Sequence, residues 1–164
     1  MRGSGLERAR SVVERIVEEL AEGATVSVND SPEEIRIGID TREAGLVIGR
    51  RGTTIDAIQH LAFRAARIAG EERRVIVDAS GYRERREETL RRMAERAARE
   101  AVRFGRAVEL EPMRAAERKV VHEHLRGVGS VETRSEGQEP DRRVVVEPTG
   151  ARRKVSAKRR RSRP

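Results

Sequence analysis

Gly49-Arg50-Arg51-Gly52 holds two arginines between two glycines. The apolar run Leu46-Val47-Ile48 precedes it, and a helical pattern follows in which Ile55, Ile58, Leu61, Ala62, Ala65 and Ile68 recur at three- and four-residue steps. A glycine-bounded turn opening into a helix offers an anion backbone N–H groups and the positive end of the helix dipole. Glycines let that anion approach the backbone, and arginines add bidentate donors that match phosphate oxygens. The chemistry predicted is a phosphate clamp. A triphosphate loop would need Lys-Ser/Thr after the last glycine; here Thr53-Thr54 follows, so that chemistry is excluded. Downstream, Arg118 and His122 lie four residues apart and share one helix face. That spacing also suits an ordinary helix in which His122 is half-buried and merely hydrogen-bonded. The remaining histidines, His60 and His124, form no metal pair with it, since His122 and His124 point different ways on a helix and cysteine is absent. No nucleophile–base constellation stands out. No enzyme, metal or cofactor is expected.

These residues need elements to position them. Met1 to Gly5 reads as flexible. Ser4-x-x-Glu7 is a capping-box pattern, and Leu6, Ala9, Val13, Ile16, Val17 and Leu20 form one apolar stripe ending at Gly23. Thr25 to Val28 and Ile35 to Ile39 alternate with period two around Asn29-Asp30-Ser31-Pro32 and predict a hairpin. The clamp follows between two short helices, then a third strand, Val75 to Val77. From Tyr82 to about Phe104 runs a charged helix whose narrow apolar face is Leu90, Met93, Ala97 and Ala101, with i,i+4 ion pairs on its solvated side. A strand at Ala107 to Leu110, a helix opened by Pro112 and running through Leu125, and strands at Val128 to Ser135 and Arg143 to Val146 complete a second small unit. Its last two strands are joined by the turn Glu136 to Pro140.

Composition bounds the function classes. The 164 residues suit one domain or two small ones. Apolar content of 36% against 39% charged residues means the cores must be small. No apolar run is long enough to span a membrane and no signal-peptide pattern is present, so cytoplasmic residence is the expectation. The net charge of +8 resides in the segment after Gly150: Arg152, Arg153, Lys154, Lys158, Arg159, Arg160, Arg161 and Arg163, with no acid. Removing those eight from the 36 basic residues leaves 28, equal to the 28 acidic ones. The high pI is therefore a tail property and does not make the body a nucleic-acid binder.

The block Ile48 to Gly52, with apolar helices on both sides, resembles the GXXG loop of the KH domain, which clamps the backbone of about four nucleotides. The element order helix, strand, strand, helix, helix, strand matches the type II KH topology. Arg118-x-x-x-His122, followed by Val131-x-Thr133-x-Ser135-Glu136-Gly137 and an arginine-led valine strand, resembles the R-3-H domain. Together the two resemble the Jag family of bacterial RNA-binding proteins, also called SpoIIIJ-associated or KhpB proteins. The likeness extends from Leu6 to Glu147 and includes Gly81-Tyr82-Arg83-Glu84-Arg85-Arg86. Many members carry a further N-terminal domain and linker, absent from this sequence. Where the family has Asn-Pro/Ala-aromatic before Arg-x-x-x-His, this chain has Arg114-Ala115-Ala116.

The resemblance implies an α+β protein: a type II KH domain over residues 1–80, then an R-3-H domain over 81–149 that includes the long helix and has a three-stranded sheet, then a basic disordered tail over 150–164. It implies a binder of single-stranded RNA (mRNA, small RNA or rRNA), with single-stranded DNA as a second candidate and a KH protein or a second copy of the chain as candidate protein partner. Gly49, Arg50, Arg51 and Gly52 would hold phosphates, and bases would lie in an apolar groove lined by Val47, Ile48 and Ile55 with Ile37 or Ile39. Edge readout by backbone groups is expected, because Phe63, Tyr82 and Phe104 are the only aromatics for stacking. Arg118 and His122 would contact a second stretch, with Arg114, Lys119, Arg134 and Arg142 as auxiliary phosphate contacts. The long helix would set the spacing, and the tail would add salt-sensitive attraction. The expected role is post-transcriptional regulator or RNA chaperone. The alternative is an adaptor in ribosome function, membrane-protein biogenesis or cell-envelope and division control.

Overall fold

The computed structural model describes residues 4–149, so the basic tail lies outside the described residues. The chain divides into two compact units between Glu84 and Arg85.

In the first unit the helix predicted from Ser4 is α1 (Gly5–Leu20). Its capping box is complete: Ser4 Oγ accepts the Glu7 N–H at 3.2 Å, and the Glu7 carboxylate accepts the Ser4 N–H at 2.8 Å. Ser4 and Gly5 thus belong to the helix start and not to a loose leader. The hairpin is β1 (Thr25–Asp30) and β2 (Glu34–Asp40). Asn29 and Asp30, expected in the turn, pair with Arg36 and Ile35, so the turn tightens to residues 31–33. Next come α2 (Ala44–Ile48), a single 3-10 turn over Arg50–Gly52, α3 (Thr53–Ile68) and β3 (Arg74–Ala79). The sheet order is β1-β2-β3, with β2 antiparallel to β1 and parallel to β3.

The core joins one stripe of each helix to one face of the sheet. Ala9, Val13 and Val17 meet Ile55, Ile58, Ala62 and Ala66 over Ile35, Ile37, Ile39, Val75 and Val77. Leu61 and Ile68, predicted on the apolar face of α3, are 50% and 71% exposed, because the buried stripe takes the i, i+3, i+7 and i+11 positions counted from Ile55. Arg73 closes one end of the sheet, reaching Glu71 at 2.8 Å and the Ser31 carbonyl at 2.7 Å.

The second unit contains most of α4 (Tyr82–Phe104), then β4 (Val108–Glu109), α5 (Ala115–Leu125), β5 (Val131–Glu136) and β6 (Arg143–Pro148). Its sheet order is β4-β6-β5, antiparallel throughout. The buried face of α4 is Leu90, Ala94, Ala97, Ala98 and Ala101; Met93, expected there, is half-buried at its edge. The expected ion pairs line the solvated side: Glu87 with Arg91, Glu88 with Arg92, Glu95 with Arg99. Pro112 does not open α5. The helix begins three residues later, where Arg114 is the N-cap residue and its N–H donates to Glu117 at 3.1 Å.

The first turn of α4 is bound into the first unit. Arg83 donates to the Val77 carbonyl at 2.9 Å, Asp56 at 3.0 Å and Gln59 at 3.0 Å, while Tyr82 packs against the first core. In the second unit Glu117 is only 5% exposed and accepts from Arg86 at 2.7 Å.

Removing one partner of a buried charge pair strands the other charge. Glu117→Ala should therefore destabilise the second unit by about 3–5 kcal/mol, measured by urea denaturation. A second prediction concerns pH. Arg73, through a side-chain hydrogen bond, lowers the Glu71 pKa from 4.5 to about 2. A depressed carboxylate contributes stability above its unfolded pKa and loses it as pH falls through its folded one. The melting-temperature deficit of Glu71→Gln should be full at neutral pH, shrink below about 4.5 and vanish near 2.

Candidate nucleic-acid interface

The Gly49–Gly52 turn is built from backbone conformations that few side chains tolerate. Gly49 ends α2 at φ 70°, Arg51 sits at φ 55° and ψ 30°, and Gly52 precedes α3 at φ 78°. A Cβ on Gly49 would lie 2.1 Å from Thr54 Oγ1 and 2.9 Å from the Thr54 amide nitrogen, so α3 packs directly against a bare backbone there. The turn is held by its own amides: Gly49 N–H donates to Gly45 O at 2.9 Å, Gly52 N–H to Gly49 O at 3.2 Å, and Thr53 N–H to Arg50 O. This corrects the expectation that the turn's amides face an anion, since these three hold the loop's shape. Arg50 is exposed, and its guanidinium meets no acid among the described residues. Arg51 beside it is half-buried. Positive charge at this turn therefore reaches solvent chiefly through Arg50.

The expected groove is also corrected. Val47 and Ile55 are fully buried, as are Ile37 and Ile39, so they form the core beneath the loop and line no surface. Successive helical residues are about 100° apart, so the run Leu46-Val47-Ile48 divides: Val47 turns inward, Ile48 is half-buried, and Leu46 is 55% exposed. Leu46 is an apolar surface residue that the expected groove left out.

In the second unit Arg118 and His122 do share a face of α5, and both are occupied by protein. Arg118 is 8% exposed; one arm of its guanidinium donates to the Met113 carbonyl at 2.7 Å and the other meets the Glu139 carboxylate at 2.8 Å. The His122 ring spans two hydroxyls of β5, with Nδ1 at 2.7 Å from Thr133 Oγ1 and Nε2 at 2.9 Å from Ser135 Oγ. Burial, and secondarily the Arg118 charge, lower the His122 pKa and favour the neutral ring. It then donates to one hydroxyl and accepts from the other. The Thr-x-Ser alternation carries the signal for this pairing, because residues two apart on a strand share a face.

The auxiliary residues scatter. Arg134, between Thr133 and Ser135, projects from the opposite face of β5 and is paired with both Glu136 and Glu147, so it does not join the Arg118–His122 group. Lys119 is exposed beside Glu123 at 3.7 Å. Arg114 is half-buried, with Nε 3.8 Å from Glu117. Arg142 is half-buried too; its carbonyl accepts the Met113 N–H at 3.0 Å, and its Nε is buried without a hydrogen-bond partner among the described residues. Among the described residues no group of three or more metal-ligating side chains comes together, and no helix is long and apolar enough to cross a membrane.

Glycine at position 49 is the most constrained residue of the turn. Gly49→Ala should cost about 1–3 kcal/mol of unfolding free energy, because the added methyl meets Thr54 at a left-handed backbone position. Denaturant midpoints of the variant and of Gly45→Ala, where a Cβ meets nothing within 4 Å, provide the comparison.

Comparison with known proteins agrees with this division. Residues 10–78 match the KhpA/KhpB KH domain model and residues 88–148 the R-3-H domain model. The chain is 41% identical over 132 residues to RNA-binding protein KhpB of Lactiplantibacillus plantarum, covering 80% of this chain and 41% of that one. It is 36% identical over 128 residues to RNA-binding protein KhpB of Clostridium symbiosum, covering 77% and 58%. It is 33% identical over 144 residues to RNA-binding protein KhpB of Bacillus subtilis, covering 86% and 69%. The chain thus spans about half the length of the first two relatives. A KH unit with a glycine-bounded, arginine-bearing turn, an R-3-H unit behind it, and this identity over most of the sequence place the chain in the KhpB (Jag) family.

Proposed function

We propose that the chain binds single-stranded RNA by its sugar-phosphate backbone, using the Gly49–Gly52 turn of the KH unit as the main contact and Arg118 of the R-3-H unit as the second. One observation carries this reading: Arg50 stands exposed, with no acid partner among the described residues, on a turn whose backbone is locked by Gly49 and Gly52. Other exposed arginines, among them Arg15, Arg42, Arg64 and Arg96, also meet no acid among the described residues, and Arg50 is set apart by its place on the glycine-bounded turn. Leu46 and Ile48 offer apolar surface beside the turn for bases to rest on. The relatives' name, RNA-binding protein, supports RNA as the ligand class. With so few aromatics, recognition rests on phosphate charge and base edges more than on stacking, which favours weak sequence preference and strong salt dependence. Two modest contacts on one chain raise affinity through effective concentration. Broad RNA contact of this kind fits a post-transcriptional regulator or RNA chaperone.

Arg50→Asp with Arg51→Asp tests the reading. Aspartate is tolerated at left-handed positions better than most residues, so the turn should keep its shape at residue 51. Affinity for a labelled single-stranded RNA, followed by fluorescence anisotropy, should fall by about 10- to 100-fold with the melting temperature nearly unchanged. The salt slope should flatten by about 0.7 for each phosphate that the variant no longer neutralises. Unchanged affinity would remove the turn from the interface.

A further inference from the structure

The second unit already carries an anion where its proposed ligand would place one. Arg118 is nearly buried, one arm satisfied by a backbone carbonyl and the other by the Glu139 carboxylate alone. A guanidinium withdrawn from water needs a counter-charge, which accounts for the pairing. Yet Glu139 is poorly secured for that task. Its side chain is 59% exposed, it lies in the turn between β5 and β6 rather than in either strand, and it makes no other hydrogen bond or ion pair among the described residues. Contrast Arg134, held between two acids on the strands of the sheet itself, or Glu117, buried beneath Arg86. The Arg118 pair joins a fixed, buried cation to an exposed anion at the surface.

From this we infer that Glu139 stands in for a nucleic-acid phosphate, and that a strand engages the R-3-H unit by exchanging its phosphate for the Glu139 carboxylate on Arg118. The inference rests on reading this unit as an RNA contact and adds what must leave for the contact to form. Carboxylate and phosphate present the same forked pair of oxygens to guanidinium, so one can replace the other without leaving Arg118 unpaired. The departing glutamate regains full hydration, which its exposure makes cheap. Because Glu139 is tethered to the same unit, it competes at a fixed effective concentration and lowers the affinity of this contact for every anion. An isolated phosphate or a stray carboxylate gains little by the exchange, whereas an RNA strand already anchored at the KH turn competes on equal, intramolecular terms. Glu139 thereby makes the second contact conditional on the first.

The experiment is a double-mutant cycle on the full chain, with a labelled mixed-sequence single-stranded RNA read by fluorescence anisotropy and folding checked by circular dichroism. Glu139→Gln keeps the side-chain shape and removes the charge; it should tighten binding by about three- to tenfold. In an Arg118→Gln background the same change should have no effect, because the cation in dispute is gone. If the glutamine variant fails to fold, Glu139→Ala provides the same comparison. Unchanged or weaker binding by the folded Glu139 variant, with Arg118→Gln still impaired, overturns the exchange and leaves the RNA contact standing. Wild-type affinity in Arg118→Gln itself overturns both.

Discussion

Taking a guanidinium out of water is tolerable only against an anion or a carbonyl, and both units are shaped by that requirement. Their cores are small, the first built from valine, isoleucine and alanine and the second from alanine, valine and leucine with Met113, and charged residues crowd the margins. Arg73 closes the open end of the first sheet on Glu71 and Asp30, and Arg83 pins the first turn of α4 to Val77, Asp56 and Gln59. Arg86 does for α5 what Arg83 does for α4, by holding the buried Glu117. The formal neutrality of the body is therefore structural. Each of these arginines is consumed by an acid or carbonyl that the fold brings to it.

Against this background Arg50 and Arg118 differ in how their charge is met. Arg50 is exposed and meets no acid among the described residues, on a turn whose shape is set by its backbone geometry. Arg118 is intermediate, paired but to an acid with its own access to water. In the proposed reading the two units would offer a phosphate cations of different availability, one open and one masked.

His122 shows what its motif's spacing does inside the fold. The pair shares a helix face, as four-residue spacing requires. Both ring nitrogens are nevertheless held by Thr133 and Ser135, which makes the histidine a fastening between α5 and β5 in this state. Its first consequence is positional, since it fixes the helix face from which Arg118 projects. The same economy appears in the KH turn, where amides expected to face a ligand tie the loop to itself.

The sequence by itself determined everything governed by neighbours in the chain. The capping box at Ser4, the alternation of Ile35, Ile37 and Ile39, the stripe of α3 and the glycines bracketing Arg50-Arg51 are local patterns, and helix, strand and turn followed from them. The family likeness rested on the same local signals. Only the tertiary structure decided which apolar residues surface and which charges are spent. Leu46 and Val47 are chemically alike and adjacent, and only the position of the core tells which one is buried. Nothing near Glu139 in the chain points to Arg118, twenty-one residues earlier, because the turn and the helix are brought together by the packing of α5 on β5 and β6. Periodicity reports which face a residue occupies. What waits on that face depends on the rest of the fold.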